Sequence, residues 1–189
     1  MVTEPGSFDE ELFEEWNVWV LDHGLPPLPA KLEKGQSVPV ARWAGEQWGA
    51  VFHLQWNWDE DEPDDDYVAT EIQVLRRVEG RWQTPSGSGG SNWHEEHPFT
   101  RWAVPGRAVH LGGLVWHGAD DWAGAAMDGI AGIEAALVTV VSEGREESNL
   151  IDNDLGIVLA AFNGELPAMV IVQDAEGVLL AREQFVPDR

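Results

Sequence analysis

The 189-residue sequence predicts a mainly β protein, an antiparallel β-sandwich with one amphipathic α-helix at its N-terminal end. Three observations indicate this fold class. The C-terminal third contains short apolar runs that recur about every ten residues between turn signals, as the strands of sandwiches and barrels do. Longer segments in the middle of the chain alternate apolar and polar residues, which is typical of half-buried strands. Only residues 7–22 place apolar side chains at helical spacing.

The helix is predicted to begin at Ser7, because Ser7 and Glu10 match a capping box. The chief residues of its apolar face are Leu12, Trp16 and Trp19. We expect this face to be buried against a sheet, since an amphipathic helix turns its apolar stripe toward the core. Gly24 and the proline-rich run that follows it are typical of a helix end.

Two strands in the first half of the chain are expected to form a hairpin. The even-numbered residues of Trp48–Trp58 are all apolar, and Tyr67–Val78 alternates in the same way. The segment between them, Asp59–Asp66, carries seven carboxylates in eight residues, and we expect it at the tip of the hairpin. Glu79-Gly80 then predicts a turn.

The next region shows less periodicity. Residues 84–101 are rich in Gly, Ser and Pro, and we expect this segment and residues 116–129 to be irregular. A strand is predicted between the two, over Ala108–Trp116. Gly112-Gly113 interrupts this strand and is typical of a β-bulge.

The clearest β pattern begins at Ile130. Four strands are predicted, together with a further one near Ser148–Ile151: Ile133–Val141, Leu155–Phe162, Ala168–Val172 and Val178–Glu183. The turn signals that separate them are Glu143-Gly144, Asn153-Asp154, Asn163-Gly164 and Glu176-Gly177. Short spacing without helical signals favours antiparallel pairing.

The segments Gly132–Val141 and Gln173–Ala181 carry a resemblance to a known class of module. The second contains Asp-Ala-Glu-Gly-Val-Leu-Leu-Ala, which is similar to the turn that joins the last two strands in bacterial immunoglobulin-like β-sandwiches. The resemblance covers residues 130–183. It implies an immunoglobulin-like fold for this part of the chain and implies no activity.

Two domain organisations follow from the pattern. We expect residues 1–189 to form a single compact unit, one sandwich of about nine strands. The alternative divides the chain into a helix-plus-hairpin domain over residues 1–129 and a β-sandwich module over residues 130–189.

The charge balance limits the possible partners. The chain has 34 acidic and 11 basic residues and a formal net charge of −23. This argues against direct binding to nucleic acid, because phosphate contacts need cations from the protein, and against binding to anionic membranes. The absence of Cys excludes a thiol nucleophile and Cys-ligated metals. The N-terminus has no signal-peptide pattern, so we expect a cytoplasmic protein.

Two groups of residues are predicted to bind a partner. The acidic group consists of Asp59, Glu60, Asp61, Glu62, Asp64, Asp65 and Asp66, and the aromatic group consists of Trp93, Trp102 and Trp122. The acidic segment lacks the Gly and the Glu that an EF-hand loop requires. A docking surface for a basic partner and a solvated loop that blocks edge pairing are the two main interpretations. The Trp side chains come from irregular segments, where they could contact a partner or a sugar, or pack under a loop.

The histidines are candidate metal ligands. His94 and His97 are not spaced as in the His-Glu-x-x-His motif, and only the fold could bring His110 or His117 to them. No Gly-x-Ser-x-Gly or phosphate-binding loop is present. We therefore predict no catalytic residue, no metal ligand and no cofactor.

These observations favour a non-enzymatic acidic protein-binding module. The concrete case is a bacterial immunity or inhibitor-type protein that captures a basic partner such as a nucleic-acid-acting toxin. The alternatives are a carbohydrate-binding β-sandwich that uses its loop tryptophans and a metal-dependent hydrolase. Adaptation to high salt is a rival explanation of the charge itself. The oligomeric state is left open.

Overall fold

The computed structural model describes residues 10–57, 67–93, 97–119 and 122–187. Within the described residues the chain is mainly β, its sheets are antiparallel, and one helix lies at the N-terminal end. The predicted fold class is confirmed. The elements in chain order are α1 (Glu10–His23), β1 (Ser37–Ala44), β2 (Trp48–Asn57), β3 (Tyr67–Val78), β4 (Arg81–Asn92), β5 (Val109–Ala119), β6 (Trp122–Ala131), β7 (Ala135–Ser142), β8 (Arg145–Leu150), β9 (Ile157–Asn163), β10 (Ala168–Asp174) and β11 (Leu179–Phe185).

The strands form three sheets. The first has the order β1-β2-β3-β4, the second β11-β10-β7-β8, and the third β5-β6-β9. Strand β9 contacts β1 and β2 of the first sheet and β7 of the second. All residues from Ile157 to Phe162 are buried, so both faces of this strand are covered, as happens only when a sheet has neighbours on both sides.

A large apolar core joins the three sheets. It extends along the chain from Leu32 to Phe185 and includes buried residues of all of them. Strand β6 pairs with β9 over most of its length, which links residues on either side of position 129. The single unit over residues 1–189 stays a prediction, and this pairing is an observation in its favour.

The helix packs on the outer face of the first sheet, and its buried face differs from the predicted one. Val20 and Leu21 are buried there in a small second core with Val51, Leu75 and Trp82. Trp16 and Trp19 are only partly buried and stack on each other, with ring centroids 5.1 Å apart. The most buried face of the helix contains Asn17, which is completely buried. Hydrophobic periodicity does not count a polar residue as part of a buried face, so the predicted face is shifted by about one residue along the helix. The Leu12 side chain lies outside the described residues.

The helix also changes the environment of β2. The odd-numbered residues Val51 and His53, which alternation predicted to be on the polar face, are completely buried under α1. The even-numbered face packs into the main core through Phe52 and Leu54. Strand β2 is therefore buried on both faces along much of its length.

The predicted turns are confirmed at several positions. Glu79 and Gly80 both have positive φ, 51° and 81°, and join β3 to β4, as a type I′ hairpin requires. Glu143 and Gly144 do the same between β7 and β8. At the last hairpin, Asp174 Oδ1 accepts hydrogen bonds from the backbone N–H groups of Glu176 and Val178.

Two segments that were expected to be irregular are strands. Residues 84–92 belong to β4, which pairs with β3, and residues 122–129 belong to β6, which pairs with β5 and β9. Gly, Ser and Ala have low β propensity, but ladder hydrogen bonds use the backbone and need no particular side chain. Small side chains in β6, such as Ala125 and Ala126, are completely buried. Larger side chains at these positions would not fit without moving the surrounding residues.

Candidate functional site

The structure describes part of the predicted binding surface. Asp59, Glu60, Asp61, Glu62, Asp64, Asp65 and Asp66 lie outside the described residues, and so does the side chain of Trp122, whose backbone begins β6. Trp93 and Trp102 are described. Their ring centroids are 5.6 Å apart, with an angle of 73° between the planes, in an edge-to-face contact. The structure therefore brings two of the predicted tryptophans together.

These tryptophans lie at one end of the first sheet. The Trp93 backbone N–H donates a hydrogen bond to the Val68 carbonyl at 2.7 Å. Val68 is the second residue of β3, and the last pair of the β2–β3 ladder is Asn57 with Tyr67. Trp93 is thus next to the two chain ends that the acidic segment connects. We call Asn57, Tyr67, Trp93 and Trp102 the aromatic end of the sheet.

Trp93 anchors this surface to the core. Its ring makes an edge contact with Phe52, a core residue, at a centroid distance of 6.1 Å. Its Nε1 donates a hydrogen bond to the Pro98 carbonyl at 2.8 Å. Trp93 is half-buried, whereas Trp102 and Tyr67 each expose 36% of their surface. Trp93 therefore supports the surface, and the other two present apolar area to solvent.

The loop that carries Trp102 is held by an arginine. Arg101 Nη2 donates hydrogen bonds to the carbonyl oxygens of Ala131 and Gly132, each at 2.8 Å. Hydrogen bonds from a charged donor are about twice as strong as neutral ones. This bracing limits the motion of Trp102 and reduces the ordering cost of a contact made through its ring.

The histidines are dispersed among the described residues. His97 and His110 are exposed, and His94 and the side chain of His117 lie outside that part of the chain. In residues 10–57, 67–93, 97–119 and 122–187, no three metal-ligating side chains lie together.

A buried polar chain, which sequence reasoning missed, connects the helix to the first sheet. Asn17 Nδ2 donates to the Phe13 carbonyl at 2.9 Å, so Asn17 Oδ1 is free to accept. His53 Nε2 lies 2.6 Å from that oxygen and is therefore the protonated nitrogen, and Ser37 Oγ donates to Nδ1 at 3.1 Å. The available signal was a histidine amid apolar neighbours in β2, Phe52-His53-Leu54.

Burial controls the ionisation of three groups. It lowers the pKa of His53 from 6.5 to about 3, so the ring is neutral near pH 7. Burial raises the pKa of Glu71, which lies directly across from His53 in the β2–β3 ladder, and a hydrogen bond from Gln73 partly opposes that rise. Burial also raises the pKa of Asp128 in β6, opposed in part by a backbone hydrogen bond.

The buried chain has the residue types of a nucleophilic relay, but its position indicates a structural role. Asn17 and His53 have no exposed surface, and the Phe13 ring packs on the imidazole with centroids 4.7 Å apart. A substrate could not reach the ring without displacing α1. The chain satisfies polar groups that would otherwise be buried without partners, which would cost about 1–3 kcal/mol each.

Comparison of the chain with protein-family models, with curated proteins and with solved structures finds no match. The described residues contain one helix, which has 14 residues. No helix in that part of the chain is long and apolar enough to cross a membrane.

Proposed function

We propose that this protein is a non-enzymatic binding module that captures a basic protein partner at the aromatic end of its first sheet. The observation that carries the proposal is the hydrogen bond between Trp93 and Val68, which places the tryptophan cluster beside the chain ends of the acidic segment. An apolar surface beside a dense negative charge is the combination that a basic protein surface with apolar contacts would fit.

Chain length limits where the acidic residues can be. Glu62 is five residues from Asn57 and five from Tyr67, and the other six carboxylates are closer to one of these two. An extended chain spans at most about 3.6 Å per residue, so every one of the seven is attached within about 18 Å of the aromatic end. Exposed charges that are more than a Debye length apart, about 8 Å at physiological ionic strength, are largely screened from each other, so the attraction of this segment for a basic partner should be strongest at low salt.

The class of partner follows from the two kinds of contact. Charges accelerate the encounter of oppositely charged proteins, to about 10⁸ M⁻¹s⁻¹ or more at low salt. A braced tryptophan supplies the apolar anchor that typically dominates the binding energy. A bacterial immunity or inhibitor-type protein against a nucleic-acid-acting toxin uses both, since such a toxin is itself basic.

The test is capture of partners from the native host at low salt, followed by affinity measurement with two neutralised variants. The local variant changes Asp59, Glu60, Asp61, Glu62, Asp64, Asp65 and Asp66 to the corresponding amides. The matched control removes the same seven charges at exposed positions elsewhere: Glu33, Glu46, Glu79, Glu143, Glu146, Asp154 and Glu176. Both variants have the same net charge, so any difference between them reports where the charge is.

We expect the local variant to bind the captured basic protein more weakly and with a smaller salt dependence than the control variant does. Trp102→Ala should weaken the same complex about tenfold or more, because truncating a residue that dominates an interface typically costs about 2 kcal/mol or more. Equal weakening by both neutralised variants would contradict a local site and leave only general charge attraction. Failure to capture any basic protein would contradict the proposal itself.

The alternatives have their own tests. If the protein is a carbohydrate-binding module, Trp fluorescence should change with members of a glycan panel and Trp102→Ala should abolish the change. If it is a metal-dependent hydrolase, protein purified without chelators should contain stoichiometric zinc, manganese or calcium. If stability rises steadily with molar salt and no partner is found, salt adaptation explains the charge.

A further inference from the structure

A groove of about 1110 Å³ lies between the edges of two sheets, β5 on one side and β11 on the other. Among the described residues, β5 pairs only with β6 and β11 pairs only with β10, so one edge of each strand has no ladder partner. Pockets for small molecules have volumes of about 300–1,000 Å³, and this one is larger and open along two strands. The aromatic end of the first sheet contributes no residue to it.

The bulge in β5 determines what this groove presents. Leu111 is opposite Gly129 and Leu114 is opposite Met127, so the extra glycine places both leucines on the same face of the strand. Without the bulge, residues three positions apart would point to opposite faces. Both leucines line the groove, together with Met127. Leu114 exposes 49% of its surface although it lies beside the core.

The opposite wall, on β11, presents one carboxylate and one aromatic side chain. Glu183 and Phe185 share one face of β11, and their ladder partners Val170 and Ala168 are buried, so this face points toward the core. Phe185 is 7% exposed and packs on Phe162 at the floor, whereas Glu183 is exposed at the mouth. Glu165 is the other carboxylate among the described lining residues, which include no Lys or Arg.

We propose that this groove binds an extended segment of a partner protein, which adds a strand to the free edge of β11. On a strand paired with β11 every second side chain faces the groove, so the occupant carries on that one face aliphatic side chains that contact Leu111, Leu114 and Phe185 and Lys or Arg side chains that pair with Glu165 and Glu183. Main-chain hydrogen bonds to an open edge supply affinity in such complexes, and alternate side chains supply specificity. A second copy of this chain does not fit, because each copy carries a charge of −23.

The test begins with selection from a random twelve-residue peptide library displayed on phage, against the full-length protein. We expect enriched peptides to carry their aliphatic and basic residues together at every second position, the positions that face the groove. The dissociation constant of a labelled enriched peptide is then measured by fluorescence anisotropy for each variant. Leu114→Glu should weaken binding at least tenfold, whereas Leu150→Glu, at an aliphatic residue that is 69% exposed in β8, should leave it unchanged.

The charge and the backbone contacts are tested separately. Neutralising Glu165 and Glu183 to Gln should weaken binding roughly 2- to 30-fold, as expected for two exposed ion pairs. The matched control, Glu146→Gln with Glu176→Gln, removes two exposed charges elsewhere and should have little effect. N-methylation of alternate peptide amides, in the frame that removes donors to β11, should abolish binding.

Three results would overturn the proposal: no enrichment of any peptide, equal affinity for the N-methylated peptides in both frames, or equal effects of Leu114→Glu and Leu150→Glu. In the first case Glu183 is only an inward-pointing charge that protects an edge strand from aggregation. Because Trp102→Ala does not alter this groove, and Leu114→Glu does not alter the aromatic end, the two proposals fail independently.

Discussion

Acidification should destabilise this protein through the His53 ring. Burial lowers the pKa of His53 from 6.5 to about 3, so between these values the unfolded chain binds a proton that the folded chain does not. Because the unfolded state binds more protons in this window, the free energy of unfolding falls as the pH falls from about 6.5 to about 3. Above about pH 6.5 both states have a neutral ring, and the contribution to stability is complete.

The size of the effect follows from the two pKa values. Each pH unit inside the window costs about 1.4 kcal/mol. Between about pH 7 and about pH 5, the folded state should lose about 2 kcal/mol through this group. The many carboxylates also titrate as the pH falls, so the effect of the histidine must be isolated as a difference between two proteins. His53→Gln removes the titration and keeps a side chain that can form hydrogen bonds.

The assay is urea unfolding followed by Trp fluorescence at a series of pH values. The difference in free energy of unfolding between wild type and His53→Gln should change by about 2 kcal/mol in favour of the variant between about pH 7 and about pH 5. His110→Gln, at an exposed histidine, is the matched control and should follow the wild type at every pH. A wild-type-minus-variant difference that does not change with pH would refute the reasoning.

Three other changes test the packing. Leu21→Ala should cost about 2–5 kcal/mol and detach α1 from the sheet, which near-UV circular dichroism would show as a loss of Trp signal; an unchanged midpoint would mean that the helix does not stabilise the fold. Gly113→Ala should cost about 1–3 kcal/mol, because the new Cβ would collide with the Asp128 carboxylate, whereas Gly112→Ala meets nothing within 4 Å and should stay within about 0.5 kcal/mol in thermal unfolding. Trp93→Ala should lower the free energy of unfolding by about 3 kcal/mol, measured by urea unfolding beside Leu21→Ala. An unchanged free energy of unfolding would contradict the anchoring role of Trp93.

Much of the fold could be predicted because it depends on local patterns. A two-residue turn such as Glu79-Gly80 needs positive φ at both positions, and the residues that tolerate this are few. The alternation of apolar and polar residues in β2 and β3 predicted that these strands pair. A shift of the register by one residue would turn the apolar side chains to the opposite face of the sheet. The bulge at Gly112-Gly113 was recognisable from two glycines inside an apolar run.

The missed strands depend on pairing with other strands rather than on a signal of their own. The Gly/Ser segment of β4 has little β propensity of its own, and it is ordered by the ladder that β3 offers it. Strand β6 lies between β5 and β9, and its small residues reflect the closeness of neighbouring sheets rather than a local preference. On the helix, Trp16 and Trp19 pack at the margin of the interface, and the fully buried positions include Asn17, whose partner His53 is 36 residues away in the sequence.

The sequence by itself determined the class of protein: antiparallel β with one N-terminal helix, a strongly acidic chain and turns at defined residues. These properties depend on periods of two or 3.6 residues and on composition, which neighbouring residues establish without reference to the fold. Only the tertiary structure decided that Trp93 is beside the chain ends of the acidic segment, that His53 is sealed under the helix, and that Leu114 faces Phe185 across a groove. Each of these contacts joins residues separated by tens of positions, and only the packing of three sheets and one helix brings them together.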